Sequence, residues 1–345
     1  MAPSPTMKDV AREAGVALKT VSRFVNGETN INPAMSARIE EAILRLGYRR
    51  NLAAASIRPG RASHVLGLII EDLSNPYYSA LTAAVEAYAH ARGYLLVTAS
   101  SEEDGSRHDR LVDRMMEQRV DGLLVVPPRR PGRRWARVVP PVPPVVFLDR
   151  PVSASDAAAV LADTVLADNA GGARDATDAL IATGARRVAF VGDTLSIYTM
   201  WERRAGYERA LRTAGLDVHP ALLDDGAHTD DQAARIVARL LTTTDADAVF
   251  AANNRSSVGA LLAFRELGRR VRLIGFDDFE AARLSEPAVS VVSQDVIGMG
   301  RKAAELLIDR LGGPPSIATA PMKGPMERRT HVLPTTLVLR GSEQP

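Results

Sequence analysis

Five short groups of residues fall just after apolar runs of the sequence: Asn75, Tyr77 and Tyr78; Asp149 and Arg150; Thr199 and Arg203; Asn253 and Asn254; Asp277 and Asp278. In open α/β sheets, ligands sit in the loops beyond the carboxyl ends of the strands. Two phenol rings, carboxylates, amides and an arginine in such loops suit a polyhydroxylated small molecule. Rings lie against apolar C–H faces, Asp and Asn take hydroxyl protons, and Arg gives two directed donors. Each residue taken singly also fits a helix cap or a strand-end ion pair. For Arg150 and Asp278 that reading is at least as good.

Bond-making chemistry has no comparable constellation. There is no GxxxxGKS/T phosphate loop, no GxSxG elbow and no nucleophile spaced beside a partnered base. GMGRKA at 298–303 lacks the third glycine and the preceding buried strand of a dinucleotide site. With no cysteine, and six histidines without HxxxH-type spacing, neither a disulfide nor a metal site is expected. The expectation is a binding protein with no catalytic residue, no metal and no cofactor.

A second kind of chemistry is written into residues 6–27, TMKDVAREAGVALKTVSRFVNG. Thr6 and Asp9 fit a capping box, Val10, Ala11 and Ala14 share a face, and Gly15 ends the helix. From about Leu18 to Val25 a second helix places Val21, Phe24 and Val25 on one side. Leu18, Lys19, Ser22 and Arg23 fall on the other. Apolar back and polar front are what a recognition helix in a major groove requires, although a plain helical hairpin fits the same spacing. A third helix opens at Asn32-Pro33, carries Met35, Ile39, Ile43 and Leu46 inward, and stops at Gly47. Residues 1–61 hold ten Lys/Arg against five Asp/Glu, whereas the whole chain is only +2. A basic head on a slightly acidic body suits phosphate contact by the head alone.

The elements that must position these residues follow from the apolar runs. VLGLII, YLLVTAS, GLLVVPP, VVFLD, RVAFVG, AVFAAN and RLIGFDD alternate with amphipathic stretches at 77–92, 109–119, 169–183, 203–214, 230–241 and 256–267. Strand and helix at this pitch mean parallel sheets covered on both faces. At 345 residues two or three domains are expected. Residues 127–144, PPRRPGRRWARVVPPVPP, replace a regular helix with a short helix or an extended loop; their five arginines are either solvated or a second nucleic-acid contact. Asn51 to Ile57 fit two helical turns before Pro59-Gly60, and a solvated linker is the plain reading. No apolar run reaches 18 residues, and MAPSPTMKDV lacks the apolar centre of a signal peptide, so a cytoplasmic protein without a membrane span is expected.

KDVAREAGV, TVSRFVNG and LGYRRN resemble the opening of the lactose/galactose-repressor (LacI/GalR) family of bacterial transcription regulators. Similar segments recur almost to the end: GLIIEDLSNPYY, RVDGLLVVPP, FLDRP, ADNAGGARDATDALIATGARRVAFVG, ERRAGYERAL, FAANNRSSVGAL, LIGFDD and LPTTLVLRG. The resemblance implies an all-α helix-turn-helix domain at 1–50, a hinge at 51–62, and a two-lobed, periplasmic-binding-protein-like domain of two doubly wound parallel sheets at 63–345. Lobe one would take about 63–166 and 296–322, and lobe two about 167–295 and 323–342. The chain would cross near Val165–Asp168, Ser293–Val296 and Met322–Gly324.

By the same resemblance, Leu18, Lys19 and Arg23 read bases, with Arg23 able to grip guanine bidentately. Thr6, Thr20, Ser22, Asn26 and Asn51 complete the DNA contacts, and Ile57 is an apolar wedge in the minor groove. Ala17 stands where relatives usually carry a Ser or Thr cap. Effector contacts fall to Tyr77, Tyr78, Asp149, Thr199, Arg203, Asn253, Asp277 and Gln294, the last at a lobe crossing. Asp168-Asn169 lies at another crossing, where hinge geometry competes with ligand contact. Asn254 replaces a common aspartate, and His228 is either a pH-sensitive contact or a loop residue. The implied function is repression by a homodimer on pseudo-palindromic operator DNA, relieved by a small carbohydrate. A co-repressed regulator responsive to a nucleobase or another metabolite, or a sugar-binding protein with no DNA role, are the alternatives.

Overall fold

Thr6 opens the first helix, α1 (Met7–Ala14), with a reciprocal cap: Thr6 N donates to Asp9 Oδ2 at 2.9 Å while Thr6 Oγ1 accepts from Asp9 N at 3.4 Å. Gly15 ends it at φ 61°, a left-handed turn that costs glycine nothing. α2 (Leu18–Val25) and α3 (Pro33–Leu46) follow, α3 capped by Asn32 and stopped by Gly47. Val10, Ala11, Ala14, Val21, Ile39 and Ala42 form the buried centre, with Phe24, Val25, Ile43 and Leu46 packed around it. Met35 departs from expectation. It is exposed, because Ile39, Ala42 and Ile43 already fill the narrow space facing α1.

The computed structural model describes residues 5–49, 62–130, 132–312 and 328–345. The chain divides into two units, Met1–Ser63 and His64–Pro345. Asn51, Ile57 and residues 322–324, where the third crossing is expected, lie outside the described residues.

In the larger unit, the chain builds two sheets of the same design. The first uses β1 (Val65–Ile70), β2 (Leu95–Ser100), β3 (Gly122–Val125), β4 (Val145–Leu148) and β5 (Asp163–Ala167). The second uses β6 (Val188–Val191), β7 (Leu223–Asp224), β8 (Ala248–Ala251), β9 (Arg272–Phe276) and β10 (Ser290–Gln294). Near the end, β11 (Thr330–Leu333) joins the first sheet and β12 (Thr335–Val338) the second. The orders are β11-β5-β4-β3-β1-β2 and β12-β10-β9-β8-β6-β7, so each position in one has a counterpart in the other. Described pairings are parallel throughout, except β10 with β12.

Helices cover both faces of the inner strands of each sheet, which is why those strands read as unbroken apolar runs, whereas the edge strand β2 leaves Leu95 and Val97 exposed. In lobe one, α4 (Pro76–His90) and α11 (Val296–Arg310) cover Leu66, Leu68, Leu124 and Val146. α5 (Gly105–Glu117) and α6 (Ala154–Ala159) cover the opposite face at Ile69, Leu123, Val145 and Phe147. In lobe two, α7 (Asn169–Ala182) and α8 (Tyr198–Thr213) lie on Phe190, Phe250 and Phe276. α9 (Asp230–Thr243) and α10 (Asn254–Leu267) lie on Val191, Val249 and Leu273. Gly206 lets α8 approach α7, since a Cβ there would run into the carbonyl oxygen of Ala170.

The chain changes lobe at Asp168, between β5 and α7, and at Asp295, between β10 and α11. The third crossing differs from expectation. β11 pairs with β5 in the first sheet and β12 with β10 in the second, so the change falls at Pro334 and not near 322–324. Residues 330–333 therefore belong to lobe one. Among the described residues of the proline-rich stretch the helical content is one 3-10 turn, Trp135–Arg137, with Trp135 buried edge-on against Phe147.

Candidate functional site

Two aspartates face the cleft from equivalent places. Asp149 follows β4 and donates its N–H to Val165 O of β5 at 2.9 Å; Asp277 follows β9 and donates to Val292 O of β10, also at 2.9 Å. Both are left-handed, at φ 67° and 72°. A non-glycine residue at such φ costs free energy and persists only where surroundings hold it, a pattern common at ligand clamps.

Each aspartate is held by its own lobe. Tyr77 and Tyr78 donate their hydroxyls to Asp149 at 2.9 and 3.1 Å, their rings edge-to-face at 5.0 Å. Burial raises both phenols well above their ordinary value, and the nearby Asp149 carboxylate raises them further, so they act as donors. Arg203 contacts Asp277 through Nη1 at 3.2 Å. It also donates Nε to Asn169 at 2.8 Å and Nη1 to Ala252 O at 2.7 Å. Its guanidinium lies 3.7 Å from the centroid of the Phe276 ring. Gln294 donates Nε2 to Asp277, while its Oε1 is buried with no hydrogen-bond partner among the described residues.

Tyr77, Tyr78, Asp149, Thr199, Arg203, Asn253, Asp277 and Gln294 thus line one cavity between the lobes, of about 50 Å³. Asn253 has a second task as the α10 cap, accepting from Ser256 N at 2.7 Å. Arg150 also lines the cavity but is committed to Glu103, to Glu71 at 3.0 Å and to Pro127 O at 3.2 Å. Burial alone would lower its pKa; Tyr78 and the carboxylates of Glu103, Asp149 and Glu71 instead drive it well above the ordinary value. Asp278 pairs with Arg340 at 2.6 Å. For Arg150 and Asp278 the strand-end ion pair is the arrangement found.

Further lining residues, Glu71, Asp193, Ile197, Met200 and Arg255, were not among those expected. The strand-end rule reaches Glu71 and Asp193, which close the VLGLII and RVAFVG runs. Nothing local marks Arg255. It spans the lobes, its guanidinium 2.7 Å from Asp72 and 3.2 Å from His228 O, while Asn254 Nδ2 donates to Asn75 at 2.9 Å. His228 is not a lining residue; its Nδ1 lies 2.7 Å from Asp193, which is one.

In the N-terminal unit, Leu18, Lys19 and Asn26 are exposed, and Thr20, Ser22 and Arg23 half-buried. The Thr6 hydroxyl is committed to Asp9 at 2.7 Å. α2 has no side-chain cap at Ala17.

Comparison with known proteins gives this geometry a family. Residues 6–51 match the model for bacterial regulatory proteins of the lacI family, and residues 177–343 that for a periplasmic binding protein-like domain. The HTH-type transcriptional regulator CelR of Thermobifida fusca is 33% identical over 95% of this chain and 97% of its own length. The chain belongs to the lacI family of bacterial regulatory proteins. It is a sequence-specific DNA-binding transcriptional regulator and not an enzyme. The ribose operon repressor of Escherichia coli strain K12 is 31% identical over 90% of this chain and 94% of its own. The solved complex of the regulator CelR with cellobiose aligns at TM-score 0.67 and 31% identity, covering 98% of this chain and 99% of that one. Among the described residues, no helix is long and apolar enough to cross a membrane, and no group of His, Cys, Asp and Glu has the makings of a metal site.

Proposed function

We propose that this lacI-family regulator represses transcription in the cytoplasm as a homodimer on a pseudo-palindromic operator. A small carbohydrate held between the lobes sets its operator affinity. One recognition helix reads only a few base pairs, so selectivity requires two half-sites. Leu18, Lys19 and Arg23 read bases, with Thr20, Ser22, Asn26 and the α1 start around Thr6 at phosphates; Asn51 and Ile57 keep the hinge roles assigned to them by resemblance.

The observation that carries the effector reading is the pair Asp149 and Asp277, one per lobe, left-handed at equivalent strand ends. Beside them lie Arg203 and the Gln294 Oε1 that has no hydrogen-bond partner among the described residues. Hydroxyl groups donate to the carboxylates and to Gln294, and accept from Arg203. CelR is solved with cellobiose and another relative is a ribose operon repressor, so both sugars head the candidates. At about 50 Å³ the cavity is well below the roughly 300 Å³ at which small-molecule pockets begin. A sugar therefore enters only as lobes or side chains move apart. Such a ligand shifts operator affinity by favouring one lobe separation, with a coupling of roughly 1–3 kcal/mol.

Thermal unfolding against a panel of sugars, sugar acids and purines, cellobiose and ribose included, tests the reading. A sugar should raise the unfolding temperature and change operator affinity in a titration. Micromolar purine binding with no sugar response overturns it.

A further inference from the structure

Arg23 sits in the last turn of α2, and Gly27, at φ 78°, folds the following residues back over it. Glu28 N donates to Arg23 O at 3.1 Å, which fixes that return. On the side chain, Arg23 Nε donates to Glu28 Oε2 at 2.6 Å and Nη2 donates to Asn30 O at 2.9 Å.

We propose that Glu28, helped by the Asn30 carbonyl, is a positioning residue for operator specificity: it presents Arg23 to guanine in a fixed orientation. The inference rests on Arg23 being a base reader, as argued above. A guanidinium has five N–H donors. Glu28 and Asn30 take the donors along the edge that contains Nε. What remains is the opposite edge, both hydrogens of Nη1 and the second of Nη2, and Nη1 has no hydrogen-bond partner among the described residues. Two parallel donors on that edge match O6 and N7 of guanine.

The Arg23–Glu28 ion pair is 37% and 49% exposed, so it does little for stability. A carboxylate in the basic head also works against phosphate attraction. Its use is the orientation it enforces. An arginine tethered at two nitrogens loses less freedom when it meets a base than an untethered one.

The test uses full-length protein and operators selected by it from a pool of randomised duplexes. At the position that Arg23→Ala relaxes, wild type should prefer guanine roughly ten- to hundred-fold, and 7-deazaguanine there should lose most of that preference. Glu28→Ala should cut the preference to a few-fold while affinity for random duplex stays the same or rises. Glu28→Gln, whose amide oxygen still accepts from Nε, should restore most of it. In an Arg23→Ala background, Glu28→Ala should change the preference no further. If Glu28→Ala keeps the full preference while Arg23→Ala removes it, positioning by Glu28 is wrong and base reading by Arg23 stands. If Glu28→Ala raises preference and affinity together, the pair masks the arginine, and the proposal fails. Arg23→Ala without effect at any position instead overturns the base-reader assignment.

Discussion

Arg203 shows how much one side chain carries at the cleft. It ties α8 to Asn169, to the Ala252 carbonyl at the end of β8 and to Asp277 beyond β9, so it orients the acid as well as facing a ligand. Arg203→Ala and Asp277→Ala should each abolish the effector response in an operator titration. Both should leave effector-free operator binding intact, and Arg203→Lys should recover only part of the response, because an ammonium cannot form a fork. The opposite end of the chain offers a gain. α2 starts at Ala17 with no side-chain acceptor for its first amides. Ala17→Ser should stabilise the N-terminal unit by about 0.5–2 kcal/mol, read as an upward shift of its thermal unfolding.

Among the elements, Asp163 ties three together. At the start of β5 it takes Nε and Nη2 of Arg310 on α11, both at 2.7 Å, and the backbone N–H of Arg329 just before β11. Two elements that reach lobe one after the chain has built lobe two are thus fastened to the same carboxylate. Asp163→Ala removes two charge-assisted hydrogen bonds from the nearly buried Arg310 and one from the Arg329 N–H, and should cost about 1.5–3 kcal/mol in denaturant unfolding of the larger unit. Asp163 was not visible as a tie in the sequence. Strands such as β1 and β6 were legible because VLGLII and VAFV are apolar and almost wholly buried, and the ends of the VVFLD, RVAFVG and RLIGFDD runs pointed to Asp149, Arg203 and Asp277. β10, SVVSQ, and β11, THVL, carry polar residues among the apolar ones and gave no comparable signal; β11 is an edge strand with alternate residues exposed. Met35 fits a helical stripe, yet three small helices have no room for it, and only packing reveals that. Arg255 was missed because its partner, Asp72, lies 183 residues away.

At the scale of the whole larger unit, the cleft is spanned by Arg255–Asp72 and Asn254–Asn75. The ion pair is partly exposed, at 25% and 26%, so its contribution is modest, about 1 kcal/mol or less. That still suffices to bias two lobe separations. If the spanning pair favours the arrangement that encloses a ligand, Arg255→Ala should weaken effector binding about two- to five-fold with the binding enthalpy otherwise similar. Unchanged affinity in calorimetry would count against that role. The strand exchange has a further consequence, for synthesis of the chain on the ribosome. β1 to β5 are made first, but α11, which covers them, and β11, which closes the β5 edge, are made only after nearly all of lobe two. At about 5–20 residues per second, lobe one spends several seconds or more with an apolar face and a strand edge open. Whatever shields nascent chains in the cell must therefore attend to lobe one for longest, although it is translated before lobe two.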